Sequence, residues 1–480
     1  MADKKQKKGN GLVAGACALM NKYMPDAFIF AVVLTIVILV AAIIYLFVQG
    51  NPTNTGFIPR IVNLIYKGWY KGFWSLLAFS MQMSMVVVTG SILANTPAVK
   101  KGLKALAKLP KSPQMAVWLV AFVALVTGWL NWGASLVMAA ILAKEVAKEV
   151  KGVHYALLVA GGYIGLGIWH AGFSGSIPLQ IASAGAKVGA GSANEWVSPG
   201  IAFNQTIFAA YCLVPNALCM IIMPIIMMKM HPTPDKVVTV DPKVFEGDDI
   251  KEEKYDKKTA TPAVKMEHSK VLNYIIVAMG ALSIFMYFFN MAKSHTAFSM
   301  SLDFVNFLFL IAAMALFKTP IETVKSVNAV AAGAAGVMLQ FPFYGGLSAM
   351  MTYNEAGSKS LAKLLSDVFV SISTPFTFPL WIFLSAGIVN FFVPSGGGQW
   401  QVQGPIIMNA VQDPKFKESV GEGKAAMCIA WGDCWTNLIQ PFWALPLLAV
   451  AKLQARDIMG YCVLLLFVEF VIVALSLLFL

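Results

Sequence analysis

His170 and Asp433 stand where ionisable residues are rare. Each lies in a long apolar run, and each precedes a proline by eight positions, Pro178 and Pro441. The surroundings match as well: GLGIWHAGFSGSIP at 165–178 and WGDCWTNLIQP at 431–441 are both apolar runs that stop at a cluster of Gly, Ser, Thr or Asn. A carboxylate at mid-membrane depth is costly and is usually kept for function. Asp433 could coordinate Na⁺ together with freed backbone carbonyls, or take up a proton; capping a half-helix is the plainer alternative. His170 could relay protons or bond a carboxylate, or be a satisfied core histidine. Glu469 has no break around it and reads as a structural hydrogen-bonding residue.

In lipid, an interrupted helix is tolerated only where it faces protein or a water-filled cavity. Matching interruptions in two halves of a chain point to a transport site. Half-helix N-termini offer backbone N–H groups and the positive end of the helix dipole, which can hold a carboxylate without a cationic side chain. Neither break has a Lys or Arg near it, which favours an anion of single charge. Trp132, Trp169, Phe173, Trp400, Trp431 and Trp435 suit a small apolar tail. The candidate substrate ligands are Asn131, Gly133, Ser135, His170, Ser174, Ser395, Gly396, Gln399, Thr436 and Asn437. Ion coupling falls to Asp433 and His170 with Asn131 and Asn437. Each polar residue among them could instead only cap a helix end.

The elements that must position these residues follow from composition. The chain has 480 residues, 58% hydrophobic and only 12% charged, against roughly a quarter charged in soluble domains. Runs of about 18 apolar residues read as membrane-spanning helices. The net charge of +12 comes from lysines in short loops rather than from a basic stripe, so no nucleic-acid partner is expected. The six cysteines lie in apolar surroundings with no CxxC spacing and read as small buried hydrophobes. No cleavable signal pattern precedes the first span.

Spans are expected near 27–48, 73–93, 206–228, 272–289, 302–317, 329–351 and 460–480, with interfacial or amphipathic stretches at 61–73 and 361–371. Two re-entrant hairpins are expected at 115–143, tip 128–135, and at 376–411, tip 393–400. Two broken helices are expected at 154–184 and 425–451. The lysine-rich stretch 99–111 reads as a cytoplasmic loop. A polar linker, 231–270, reads as flexible and cytoplasmic, and divides the chain into 1–230 and 271–480. With a cytoplasmic N-terminus, 17 lysines and arginines fall in cytoplasmic short loops and 10 outside, as the positive-inside rule expects. The order hairpin, broken helix, span occurs twice, with 39 residues from Asn131 to His170 and 38 from Ser395 to Asp433. The first hairpin would enter from the cytoplasm and the second from outside. The expected fold is thus an all-α polytopic inverted repeat.

At GWLNWGAS (128–135), GLGIWHAGFSGSIP (165–178), VPSGGGQWQVQGP (393–405) and WGDCWTNLIQP (431–441), the chain resembles the short-chain fatty acid transporter family. That family belongs to an ion transporter superfamily that includes sodium-coupled dicarboxylate carriers. The resemblance covers nearly the whole chain. It implies a bacterial inner-membrane uptake carrier for acetoacetate, butyrate or similar acids, with a dimerising scaffold domain and a transport domain that moves as an elevator. It also implies that Asn131, Ser135, Ser395, Thr436 and Asn437 fall at substrate and cation sites, with Na⁺ near Asn131, Ser395 and Asp433 as the one ion expected. The dicarboxylate carriers have Ser-Asn-Thr at both hairpin tips. Here the tips read Asn-Trp-Gly-Ala-Ser and Pro-Ser-Gly-Gly-Gly-Gln, which separates this chain from dicarboxylate carriage and from the same sodium sites.

The expected function is secondary active transport of a short monocarboxylate with H⁺ or Na⁺, by a homodimer in the lipid bilayer. Carriage of a dicarboxylate or another small anion is the nearest rival. A membrane enzyme using His170 and Asp433 would have no need of symmetry-related positions. A channel would show a continuous polar face rather than two polar breaks.

Overall fold

The computed structural model describes residues 11–50, 55–188, 196–241, 244–245, 260–293, 302–355, 358–394, 396–417 and 419–480. These residues are mostly helical, with one short antiparallel ribbon that pairs Lys187 with Val197 and Val188 with Trp196. Among them, five helices are long and apolar enough to cross a membrane: Phe28–Val48, Pro113–Leu130, Ala210–Lys229, Pro262–Lys293 and Ala455–Phe479. Two further pairs qualify only together, and both are bent. Tyr155–Gly167 meets Trp169–Ala182 at 41°, and Glu422–Asn437 meets Pro441–Ala451 at 49°.

The bends fall at the polar clusters for local reasons. In the first, the α-helix gives way to two 3-10 turns, Ile164–Gly167 and Trp169–Ala171, and resumes at Ser176–Ala182. In the second, the chain leaves the helix after Asn437 and re-enters it at Pro441. A proline at the first helical position loses no internal hydrogen bond. A single extended residue, Asn131, separates Pro113–Leu130 from Trp132–Glu149, and its side chain accepts from the Ala134 N–H at 2.9 Å to start the second helix. Phe378–Phe392 and Gly396–Val411 form the other pair, parted at Pro394, which biases Val393 out of the helical region.

Glycines let these elements meet at backbone distance. A Cβ at Gly128 would lie 2.3 Å from the Gly165 carbonyl oxygen, one at Gly165 2.3 Å from that of Ala124, and one at Gly432 2.3 Å from that of Phe383. Each helical pair is thus seated on a bent pair of its own half. Leu77–Ala94, Leu302–Phe317, Ala27–Val48 and Ala335–Thr352 pack beside them as a second group.

Three stretches differ from the sequence expectation. The lysine-rich stretch at 99–111 is largely helix, Pro97–Ala107; its lysines recur at helical spacing behind an N-terminal proline. The run at 329–351 is interrupted by a 3-10 turn at Ala331–Ala334, which contains Gly333, a poor helix former. Part of the linker at 231–270 is docked. Phe245 is buried against Tyr155, with the Lys144, Lys148 and Lys452 ammonium groups 4.8, 5.9 and 5.8 Å from its ring.

The docked linker carries a pH-sensitive contact. His154 Nδ1 accepts from the Val238 N–H at 2.9 Å, and its Nε2 lies 2.9 Å from the Tyr461 hydroxyl. Burial, reinforced by the charge of His231, lowers the His154 pKa from its ordinary 6.5 to about 4. A base whose folded pKa is depressed stabilises the fold above its unfolded pKa, and that stabilisation is lost as pH falls from 6.5 toward 4. Acidification from pH 7 to pH 5 should cost roughly 2 kcal/mol at 1.36 kcal/mol per unit, because protonated Nδ1 can no longer accept from Val238. Melting followed by tryptophan fluorescence at the two pH values tests this. A loss in wild type that is unchanged in His154→Asn would refute the assignment.

Candidate functional site

The side chains of His170 and Asp433 are fully buried and touch: His170 Nδ1 lies 3.0 Å from Asp433 Oδ1. His170 Nε2 accepts from the Ile177 N–H at 3.1 Å. The hydrogen is therefore on Nδ1, which donates to the aspartate. One imidazole thus ties the unwound part of the first bent pair to the carboxylate of the second. The Trp169 ring stacks on it at 4.2 Å between centroids and lies 5.5 Å from Trp132 and 5.9 Å from Trp443.

A network of amides surrounds the second bend. Asn390 Nδ2 faces three acceptors, the Asp433 carbonyl, Thr436 Oγ1 and Asn437 Oδ1, at 2.8, 2.9 and 2.8 Å. Asn437 Nδ2 in turn donates to Asp433 Oδ1 at 3.2 Å, and Thr436 Oγ1 donates to the Gly387 carbonyl at 3.1 Å. Carbonyls freed at the bend are met by the Tyr163 hydroxyl, which donates to the carbonyls of Asn437 and Gln440. Gln440 Nε2 donates back to the Asn390 and Phe391 carbonyls at 2.8 and 3.0 Å.

Both turns between paired helices reach the first bend. Ser174 Oγ accepts from the Trp132 N–H at 3.1 Å, and the Phe173 N–H donates to the Trp129 carbonyl at 2.9 Å. From the other pair, Gly396 lies so close to His170 that a Cβ there would be 2.4 Å from its Cε1. Gln399 is buried, with Nε2 donating to the Ala386 carbonyl and to Gln403 Oε1 at 2.8 and 2.9 Å.

The structure thus brings His170, Ser174, Gly396, Asp433, Thr436 and Asn437 together at the two bends. Asn131 and Gly133 sit at the start of the helix Trp132–Glu149, where the Asn131 carboxamide caps. The Ser135 hydroxyl is turned back into its own helical pair, donating to the Ala124 carbonyl at 2.8 Å and accepting from Thr127. Ser395 lies outside the described residues.

Several buried polar atoms here lack a hydrogen-bond partner among the described residues: Asp433 Oδ2, Asn390 Oδ1, Gln399 Oε1 and Gln440 Oε1 among acceptors, and the Trp169 and Trp400 indole N–H groups among donors. Buried polar groups are rarely left so. These oxygens keep capacity to accept, as a cation requires, and these indole N–H groups keep capacity to donate, as a carboxylate requires.

Asn390, Tyr163 and Gln440 escape the sequence reading. The one usable signal for Asn390 is an amide in the otherwise apolar SAGIVNFF at 385–392. Glu469 departs from it: among the described residues, neither of its oxygens has a hydrogen-bond partner. Asn390→Leu removes the two amide hydrogens that three acceptors share, and should cost about 1–3 kcal/mol for each acceptor not satisfied otherwise. The expected result is a lowered melting temperature together with loss of butyrate exchange in proteoliposomes; wild-type behaviour in both assays would remove Asn390 from the site.

Comparison with known proteins agrees with this setting. The sequence profile of the family described as short chain fatty acid transporter matches residues 10–480. A protein of Escherichia coli (strain K12), provisionally named a short-chain fatty acid transporter, is 38% identical over 92% of this chain and 93% of its own length. A protein of Haemophilus influenzae (strain ATCC 51907 / DSM 11121 / KW20 / Rd) with the same provisional name is also 38% identical, over the same shares. Among solved structures, the chain is similar to the YdaH transporter of Alcanivorax borkumensis, at 12% identity and a TM-score of 0.42 over 94% of this chain and 98% of that one. It is also similar to Neisseria gonorrhoeae MtrF, at 13% identity and a TM-score of 0.37 over 96% of this chain and 97% of that one.

Proposed function

Because the chain belongs to the short-chain fatty acid transporter family, a family of transporters and not of enzymes, we propose that it is a secondary active carrier. Its substrate would be acetoacetate, butyrate or a similar monocarboxylate, moved together with H⁺ or Na⁺ by alternating access. The observation that supports this most is the buried His170–Asp433 contact, which joins the two bends through one hydrogen bond. A substrate or cation that alters either partner acts on both bends at once.

In this reading the carboxylate sits among the unpartnered indole N–H groups and the backbone at the bends, and its short tail rests on the Trp132–Trp169–Trp443 cluster. His170, Ser174, Gly396, Gln399, Thr436 and Asn437 line its place, with Asn131, Gly133, Ser135 and Ser395 at the turns. Asp433 is the fixed charge of the coupling machinery; if the ion is Na⁺, it lies near Asn131, Ser395 and Asp433. The two halves form an inverted repeat, and the glycine-seated helices move as one body against the remaining group, in an elevator-type cycle. The carrier is a homodimer in the bacterial inner membrane, with the N-terminus in the cytoplasm.

Counterflow tests the substrate class without any driving ion. Proteoliposomes preloaded with unlabelled butyrate should take up labelled butyrate, acetoacetate should compete, and succinate should not. Exchange of succinate in place of butyrate would shift the reading to a dicarboxylate carrier. Exchange of neither would remove it.

A further inference from the structure

Glu469 lies midway along Ala455–Phe479 and is fully buried. Among the described residues, neither carboxyl oxygen has a hydrogen-bond partner. Its position is particular. A Cβ at Gly167, the last residue before the first bend, would fall 2.6 Å from Glu469 Oε2 and 3.3 Å from Leu438, which lies in the second bend. The carboxyl therefore occupies space that a side chain at Gly167 would fill, beside both interruptions.

The two buried carboxyls of this region have opposite surroundings. Asp433 Oδ1 receives hydrogens from His170 Nδ1 and Asn437 Nδ2, as a carboxylate requires. Glu469 receives none. The thiols of Cys219, on Ala210–Lys229, and Cys434, on Glu422–Asn437, lie within its electrostatic reach; Lys229 and Lys424 stand ten residues, about 15 Å, along those helices from the two thiols, and no group on either helix bonds to Glu469. Of the other helices packed on Ala455–Phe479, Phe378–Phe392 and Pro441–Ala451 carry no titratable side chain. Tyr155–Tyr163 brings two tyrosines whose hydroxyls are bonded to the carbonyls of Ala451, Asn437 and Gln440. Leu12–Tyr23 meets the last helix where Cys17 faces Gly460, about two and a half turns from Glu469; it also carries Lys22 and Tyr23, and neither forms a hydrogen bond or ion pair with Glu469. An ionised carboxylate in such a place has nothing to offset its loss of water; a neutral acid fits it. Divergent environments commonly assign different tasks to two carboxyls.

Resting on the carrier reading above, we propose that the coupling ion is a proton and that Glu469 carries it. With Glu469 protonated, the enclosed arrangement carries no second buried negative charge beside that of Asp433. When the proton leaves, the bare carboxylate disfavours that arrangement and drives the carboxyl toward water. One proton on Glu469 and one carboxylate at the bends cross together, so the transported charge sums to zero and no other co-reactant is needed.

The test compares wild type with Glu469→Gln in proteoliposomes, using labelled butyrate. Wild type should accumulate butyrate under an inward proton gradient and not under a Na⁺ gradient. The glutamine variant, fixed in the neutral form, should keep counterflow exchange at every pH but lose accumulation. Three results overturn the assignment: Glu469→Gln accumulating as wild type does, loss of exchange together with accumulation in a protein that melts as wild type, or wild-type accumulation driven by Na⁺. Absence of all butyrate exchange in wild type would instead remove the carrier reading. Should the variant fail to fold, wild type alone decides. The infrared band of a protonated carboxyl should be present in the resting protein and vanish on alkalinisation in step with loss of coupled uptake; an ionised carboxyl at all pH values where uptake is coupled overturns the proposal.

Discussion

With asparagine at position 433, the protein is expected to fold, to bind butyrate, and to accumulate none against its gradient. The amide keeps an oxygen that can accept from His170 Nδ1 at the present 3.0 Å, so the contact between the bends survives in shape. The negative charge does not. His170 is then held by a neutral dipole, and charge-assisted hydrogen bonds are roughly twice as strong as neutral ones. An enclosed site that balances charge with a coupling cation loses its fixed anion. Accumulation should fall to the level of protein-free vesicles, while the melting temperature stays within a few degrees of wild type. Wild-type accumulation by Asp433→Asn would show that the buried pair only fastens the bends.

The second large effect is structural. Gly165→Ala should destabilise the protein by about 3 kcal/mol, at the upper end of overpacking costs. The added methyl would lie 2.3 Å from the Ala124 carbonyl oxygen and 3.0 Å from Ser135 Oγ. The nearest of these is backbone in a buried helix and cannot rotate away. The first helical pair would have to lift off the bent pair it is seated on, which also opens the contact between Ser174 and Trp132. Gly102→Ala is the matched control. Gly102 lies within Pro97–Ala107, and a Cβ there meets nothing within 4 Å, so alanine should stabilise by about 0.5–1 kcal/mol. Thermal melting of the two variants should move in opposite directions; a shared sign would contradict the packing account.

Much of the arrangement was legible because breaks in lipid-facing sequence are costly and therefore leave marks. The equal spacing of His170 and Asp433 to Pro178 and Pro441 picked out two residues that lie 263 positions apart and turn out to touch. The turn at Asn131 was legible from one polar residue between two tryptophans inside an apolar run. What stayed hidden depends on partners rather than on local type. Asn390 is an isolated amide in an apolar helix, and only the fold reveals three acceptors around it. Tyr163 reads as an ordinary aromatic until the carbonyls it satisfies are in view. Glu469 reads as a hydrogen-bonded residue, because burial of a carboxyl usually implies a donor; among the described residues none faces it. The helix Pro97–Ala107 was missed because lysine density suggested a loop, although an amphipathic helix on the membrane surface has the same composition.

The measurement that tests the central claim most directly is accumulation of labelled butyrate in proteoliposomes under an imposed pH gradient, an imposed Na⁺ gradient, or neither. The account predicts accumulation above equilibrium under one gradient, none without it, and no inhibition by succinate. Equilibration without accumulation under either gradient would mark a passive pathway and contradict coupled transport.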